Sequence, residues 1–156
     1  MAPILRPATR DDLAAIQEIV RAAYTPYRAR IGRDPGPMRD DYAALIREGR
    51  VHVAVRDGTV EGLLVLIPQD VAMLLDNVAV APGAQGSGLG RAMLAFAERA
   101  AIAAGYGSIV LYTNEAMTEN IALYARLGYA ETHRIEEKGF RRVYMRKPLT
   151  GLRGPA

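Results

Sequence analysis

Asn77-Val78-Ala79-Val80-Ala81-Pro82-Gly83-Ala84-Gln85-Gly86-Ser87-Gly88-Leu89-Gly90-Arg91 is the stretch that decides the fold. Its first part reads as a strand, Pro82-Gly83 turns the chain, and Leu89 opens a run with helical spacing. Four glycines fall within the eight positions from Gly83 to Gly90. Missing side chains let a ligand approach the backbone closely, and the first turn of a helix carries N–H groups without partners of their own. Together with the helix dipole, that makes an anion site suited to phosphate. A Walker-type loop would need Lys after its final Gly, but Leu89 follows Gly88 and Arg91 follows Gly90. The dinucleotide fingerprint Gly-x-Gly-x-x-Gly fails as well, because counted from Gly86 the sixth residue is Arg91. A glycine-rich turn without any ligand is the plain alternative.

Outward from this turn, the periodicities order the rest of the chain. Ile4 to Pro7 reads as an opening strand, and Thr9 with Asp12 forms a capping-box-like helix start. Leu13, Ile16, Val20 and Ala23 follow at helical spacing until Pro26, which is expected to end that helix. Tyr27 to Met38, rich in Pro, Gly and Arg, reads as a long connection, and a second short helix is expected over Arg39–Glu48. Val51–Val55 and Glu61–Ile67 make a hairpin around Asp57-Gly58. Val71–Val80 is the next strand, with room for a bulge. A long helix over about Gly88–Ala104 carries Leu89, Met93, Phe96 and Ala97 on one stripe. Ser108–Thr113 reads as a buried strand and Thr118–Leu127 as a helix closed by Gly128. Tyr129–Glu137 and Arg141–Lys147 pair around Lys138-Gly139. Hairpins interrupted by two strand–helix crossovers imply a mixed sheet in the α/β class. Residues 1–149 read as one domain and 150–156 as a disordered tail.

Composition excludes several chemistries. The chain has 156 residues, no Cys, no Trp and two His. Thiol nucleophiles, Cys-bound zinc and iron–sulfur clusters are thereby removed, and two isolated His do not make a metal site without carboxylate help. No apolar run exceeds six residues, and the N-terminus lacks a signal-peptide core. The expectation is a cytoplasmic domain with no metal, no membrane partner and no nucleic-acid partner. The net charge of +3 is dispersed rather than clustered, although Arg141-Arg142 and Arg146-Lys147 motivate a weaker nucleic-acid reading.

Gln85-x-x-Gly88-x-Gly90, following Val78-x-Val80-x-Pro82, resembles the pyrophosphate-binding motif of the Gcn5-related N-acetyltransferase (GNAT) superfamily. A second segment supports it: Asn120-x-x-x-Tyr124-x-x-x-Gly128-Tyr129 is similar to that family's second signature. Asn120 and Tyr124 are four apart on one helix and share a face. Read alone, Tyr124 is equally a core aromatic beside Leu127, and Asn120 a residue bonding local backbone. The resemblance runs over nearly the whole chain. It implies the acyl-CoA N-acyltransferase fold: a mixed, mostly antiparallel sheet of about seven strands with four helices, splayed between the motif strand and the next.

The resemblance further implies a direct acetyl transfer from acetyl-CoA to a primary amine, of a small molecule or of a protein. Val78, Ala79 and Val80 would bond the pantetheine arm through their backbone, with Asn120 and Tyr124 contributing from their helix. The amides of Gln85, Gly86, Ser87, Gly88, Leu89, Gly90 and Arg91 would hold the pyrophosphate. Val80 N–H would donate to the thioester oxygen as charge develops on it, and Tyr124 would protonate the departing thiolate. Asp76 and Glu115 compete as the general base, and either reads equally as a solvated carboxylate. His52 and His133 read as exposed strand residues. Tyr27, Arg33, Asp34, Met38 and Tyr42 fall on or beside the segment that covers the acceptor in this family. Homodimers are common there, and the terminal hairpin offers an edge for one. A non-catalytic acyl-CoA-binding module on the same fold is the competing reading.

Overall fold

Asp57 and Gly58, with φ of 50° and 77°, adopt the two left-handed conformations that a tight hairpin turn requires. They join β2 (Val51–Arg56) to β3 (Thr59–Pro68). Lys138 and Gly139 repeat the device, with φ of 54° and 80°, between β6 (Ala130–Glu137) and β7 (Phe140–Pro148). The computed structural model describes residues 2–149, and the tail expected over 150–156 lies outside them. With β1 (Ile4–Pro7), β4 (Met73–Val80) and β5 (Ser108–Asn114), the strands form a seven-stranded sheet in the order β1-β2-β3-β4-β5-β7-β6. Registers are antiparallel for β1–β2, β2–β3, β5–β7 and β6–β7 and parallel for β4–β5, so the sheet is mixed.

The chain divides into two compact units. The first holds the residues up to Leu66 together with Asn77–Ala97. Helix α1 (Leu13–Tyr24) turns Ile16, Ile19 and Val20 inward, where each is buried. Val51, Val53, Leu63 and Val65 from the hairpin and Leu89 and Met93 from α4 (Leu89–Ala103) are buried as well. Each such side chain contributes roughly 1.5–3 kcal/mol on leaving water. Gly62 lets α4 sit close to β3: a Cβ there would lie 2.9 Å from Met93 Cε and 3.1 Å from the Ala79 carbonyl oxygen. Asp12, buried ahead of α1, takes two bonds from the Arg6 guanidinium at 2.8 and 3.0 Å and one from Thr9 N–H at 2.7 Å. Those bonds hold its carboxyl below the usual carboxylate range.

The second unit holds Ile67–Asp76 and the residues from Glu98 onward. Ile109, Leu111, Val143 and Met145 fill its core, and α5 (Thr118–Arg126) adds the buried Tyr124. Gly128, at φ 99°, closes α5 in the left-handed conformation.

Helix α1 ends at Tyr24, ahead of Pro26 as expected, while three other expectations are corrected. Helical turns resume at once: Pro26 sits in the first turn of a 3-10 segment, Thr25–Tyr27, which leads directly into a single turn of α2 (Arg28–Ile31). Proline lacks only the N–H that a first turn leaves unused, so it is tolerated there. The expected long loop is accordingly a chain of short helical turns, ending in Gly36–Arg39. Arg39 belongs to that turn, and α3 begins later, at Tyr42–Arg47, capped by Asp41 accepting from Ala44 N–H at 3.1 Å. Finally, His52 is half-buried rather than exposed, its ring 4.9 Å from that of Phe96, and burial lowers its pKa.

Candidate functional site

Successive amides along a strand point to opposite edges. Ala81 N–H donates to the Glu61 carbonyl on β3 at 2.8 Å, so Val80 N–H points to the opposite edge of β4. Within the second unit, β4 and β5 pair in parallel from Met73↔Ile109 to Leu75↔Leu111.

After Val80 the chain makes a 3-10 turn at Pro82–Ala84, runs extended at Gln85, and enters the glycine tip. Gly86 and Gly88 have φ of 80° and 87°, and a Cβ at either would meet nothing within 4 Å. Backbone conformation, not crowding, demands glycine at these two positions. Gly86, Ser87 and Gly88 are exposed, and α4 starts at once with Leu89. Of the amides singled out in sequence, Gln85 N–H bonds the Pro82 carbonyl and Ser87 N–H the Ala84 carbonyl, each at 3.3 Å. The first-turn amides of a helix have no intrahelical partner, which suits them to an anion. Gly90 would place a Cβ in ordinary contact with Val80 Cγ2, at 3.9 Å. The Gln85 side-chain amide reaches back to the Val80 carbonyl at 3.4 Å.

Side chains along β4 alternate: Leu75, Asn77 and Ala79 are buried, whereas Asp76, Val78 and Val80 are half-buried. Asn77 is an amide at a core position, and both its oxygen and its nitrogen are hydrogen-bonded. Its Oδ1 accepts from Tyr24 Oη at 2.5 Å and its Nδ2 donates to Tyr42 Oη at 2.9 Å. Tyr42 in turn donates to the Pro37 carbonyl at 2.6 Å. Tyr24 Oη also lies 3.3 Å from the Val78 carbonyl. This chain ties α1, α3 and the Gly36–Arg39 turn to the motif strand.

A cleft of about 320 Å³ is lined by Gln17, Val20, Arg21, Met38, Asp40 and Tyr42. It brings together Met38 and Tyr42 of the expected acceptor residues; Tyr27 and Arg33 are not among its lining. Tyr27 instead lies under the Arg30 guanidinium, 5.3 Å from its ring centre, and Asp34 pairs with Arg28 at 2.6 Å.

In the second unit, Tyr112 Oη donates to Asp76 Oδ1 at 2.7 Å, and the Arg142 guanidinium covers the Tyr112 ring at 4.2 Å. Glu115 lies between two cations, 3.3 Å from Arg141 Nη1 and 3.9 Å from Arg134 Nη1. Asn120 sits in the first turn of α5, its N–H bonded to the Met117 carbonyl at 3.0 Å. One turn along, Tyr124 is buried with its ring edge-on to Tyr129, centres 5.8 Å apart. Tyr129 Oη is buried without a hydrogen-bond partner among the described residues, and burial raises its pKa strongly. His133 is exposed and stacked on Tyr144 at 4.7 Å. Three residues escaped sequence reasoning: Tyr24, Asn77 and Tyr112. Only Asn77 carried a signal, as an amide at the inward parity of an apolar strand.

Among the described residues no helix is long and apolar enough to cross a membrane, and no cluster of three or more His, Cys, Asp or Glu could hold a metal ion. The sequence from residue 13 to 129 matches the family model "Acetyltransferase (GNAT) family". No curated protein matches the chain significantly. Among solved structures, the ribosomal-protein-S18-alanine N-acetyltransferase from Escherichia coli superposes with a TM-score of 0.77 at 20% identity, covering 98% of this chain and 97% of that one. Ard1 from Thermoplasma volcanium gives 0.77 at 15% identity, over 96% and 99% of the two chains. The PaiA N-acetyltransferase from Thermoplasma acidophilum, solved in complex with coenzyme A, gives 0.73 at 18% identity, over 95% and 99%. At these identities the likeness is one of fold.

Proposed function

Because the chain belongs to the acetyltransferase (GNAT) family, we propose that it moves an acetyl group from acetyl-CoA directly onto a primary amine of a small molecule or a protein. One observation carries this reading. Ala81 N–H bonds back to β3, so Val80 N–H at the end of β4 faces the other way, and the chain then runs into a glycine tip whose conformation leaves an open cradle at the start of α4. An extended, amide-bearing arm ending in phosphates matches both parts, so the residues fit coenzyme A. The backbone of Val78, Ala79 and Val80 would hold the arm, and the amides of Gly86, Gly88, Leu89, Gly90 and Arg91 the pyrophosphate. Asn120 would add a side-chain amide from α5. When bound, acetyl-CoA supplies an activated acetyl thioester.

The protein's own part is electrostatic and acid–base. Val80 N–H, pointing away from β3, is the donor for a carbonyl oxygen that gains charge during transfer. Tyr124 is a neutral phenol, suited to donating a proton to a departing thiolate, whose thiol pKa is near 8.5. The acceptor sets the harder problem. A lysine-like amine with pKa about 10.4 is protonated at neutral pH, and freeing it costs about 4–5 kcal/mol. Asp76 is the carboxylate we assign to that proton, directly or through water. Its support is its position two residues before Val78 and a single phenol donor, Tyr112. Glu115, by contrast, closes an ion-pair cluster with Arg134 and Arg141. Met38 and Tyr42, lining the cleft beside α1, would meet the acceptor.

Thiol release from acetyl-CoA across a panel of small amines and N-terminal peptides tests this. Amine-dependent release is expected. Coenzyme A binding without release above the hydrolysis blank would leave a non-catalytic acyl-CoA-binding module.

A further inference from the structure

Arg56, the last residue of β2, points its guanidinium at the glycine tip. Its Nη2 donates to Ser87 Oγ at 3.0 Å, and its Nε donates to Glu61 Oε1 at 2.6 Å. Ser87 Oγ in turn donates to the Ala84 carbonyl at 2.5 Å. Ser87 is the single side chain of the Gly86-Ser87-Gly88 tip, and both neighbours are left-handed. An arginine thus reaches across 31 positions of sequence to grip the middle of the cradle. Glu61 fixes that arginine without exhausting it. Guanidinium carries five N–H donors, and two are engaged, which leaves three with no acceptor among the described residues.

The amides of the cradle offer only partial charges. Amides and a helix N-terminus supply about half a unit of positive charge, while a pyrophosphate and a further phosphate ester bring several negative ones. A formal cation beside the tip, already oriented and with spare donors, answers that imbalance. We propose that Arg56 is a phosphate-binding side chain of the cofactor site, ordering the glycine tip through Ser87 and lending its charge to the phosphates of coenzyme A. This rests on the reading of the tip as a phosphate cradle.

Calorimetry with coenzyme A and with phosphate-free pantetheine tests it, on the wild type, Arg56→Gln, Arg56→Lys and Gly88→Val. Arg56→Gln should raise the Kd for coenzyme A by about tenfold or more, the effect of one charge-assisted contact. Its dependence on salt should become shallower, and pantetheine binding should not change. Arg56→Lys, which keeps the charge, should recover part of the loss. Normal coenzyme A affinity in Arg56→Gln overturns the proposal, as does an equal loss for coenzyme A and pantetheine, which would mark a structural role. Normal affinity in Gly88→Val would instead remove the cradle itself, whatever Arg56 does.

Discussion

Tyr24 Oη donates to Asn77 Oδ1 at 2.5 Å, joining the last residue of α1 to the inward face of the motif strand. The same amide donates onward to Tyr42, so a single buried side chain satisfies two phenols. Removing it takes one partner from each phenol, although Tyr24 keeps the Val78 carbonyl at 3.3 Å and Tyr42 the Pro37 carbonyl at 2.6 Å. Asn77→Ala should cost about 2–3 kcal/mol, a buried hydrogen-bonded group lost together with its packing. Tyr24→Phe should cost about 1 kcal/mol. The double variant should fall short of the sum, because one bond is counted twice. Urea denaturation of the three variants measures this, and additive losses would mean that the Tyr24–Asn77 contact carries no energy.

Sequence made this network invisible for a physical reason. Tyr24 and Asn77 are 53 positions apart, and Asn77 and Tyr42 are 35 apart. Local patterns report on neighbours along the chain. Asp57-Gly58 and Lys138-Gly139 were legible because each turn is encoded by its own two residues, and the glycine tip because its left-handed positions lie within a few residues of each other. The turns from Thr25 to Arg39 were not legible, since Pro26 reads as a stop unless the helix is known to restart around it. Of the site, the backbone elements were readable and the side chains that brace them were not: Arg56 meets Ser87, and Tyr112 meets Asp76, only once the strands are paired.

Gly88→Val should abolish coenzyme A binding while leaving a folded protein. Space is not the obstacle, since a Cβ at Gly88 meets nothing within 4 Å. The obstacle is φ of 87°, which a β-branched residue resists, so the tip would rearrange and its amides would lose their common aim. Circular dichroism should be unchanged and the calorimetric signal lost. A variant that still binds coenzyme A normally would show that the tip does not hold it.

Asp12 gives the fold an acid-sensitive clasp. Its carboxyl is held below the ordinary value, first by the Arg6 hydrogen bonds, with the Thr9 amide adding to them. A depressed carboxylate stabilises fully above its unfolded pKa of about 3.9, and that stabilisation disappears as pH falls through the folded value. Asp12→Asn should therefore lose about 1–2 kcal/mol at pH 7, less than a fully buried pair would lose because Arg6 is 41% exposed. The gap to wild type should begin to narrow below about pH 4 and vanish only once the pH is below the depressed folded value. Denaturant midpoints across that range check the sign; a gap independent of pH would remove the charge from the explanation.

Tyr124 and Asp76 divide the proton chemistry, and their variants should fail differently. Tyr124→Phe keeps the buried ring against Tyr129 and removes only the hydroxyl. Coenzyme A affinity should persist while turnover falls by about 10²–10⁴, the span of a single general acid. Asp76→Asn keeps an oxygen that can still accept from Tyr112, so the strand should stay in place. What it loses is a site for the amine's proton. Its activity should recover as pH approaches the amine's own pKa, about 10.4 for a lysine-like acceptor, because solvent then supplies the free base. Tyr124→Phe has no such remedy at high pH, since raising pH never supplies the missing donor. Glu115→Gln, which only opens an ion pair with Arg134 and Arg141, should leave the pH profile of transfer unshifted. If Glu115→Gln showed the alkaline recovery and Asp76→Asn did not, the base would be reassigned to Glu115.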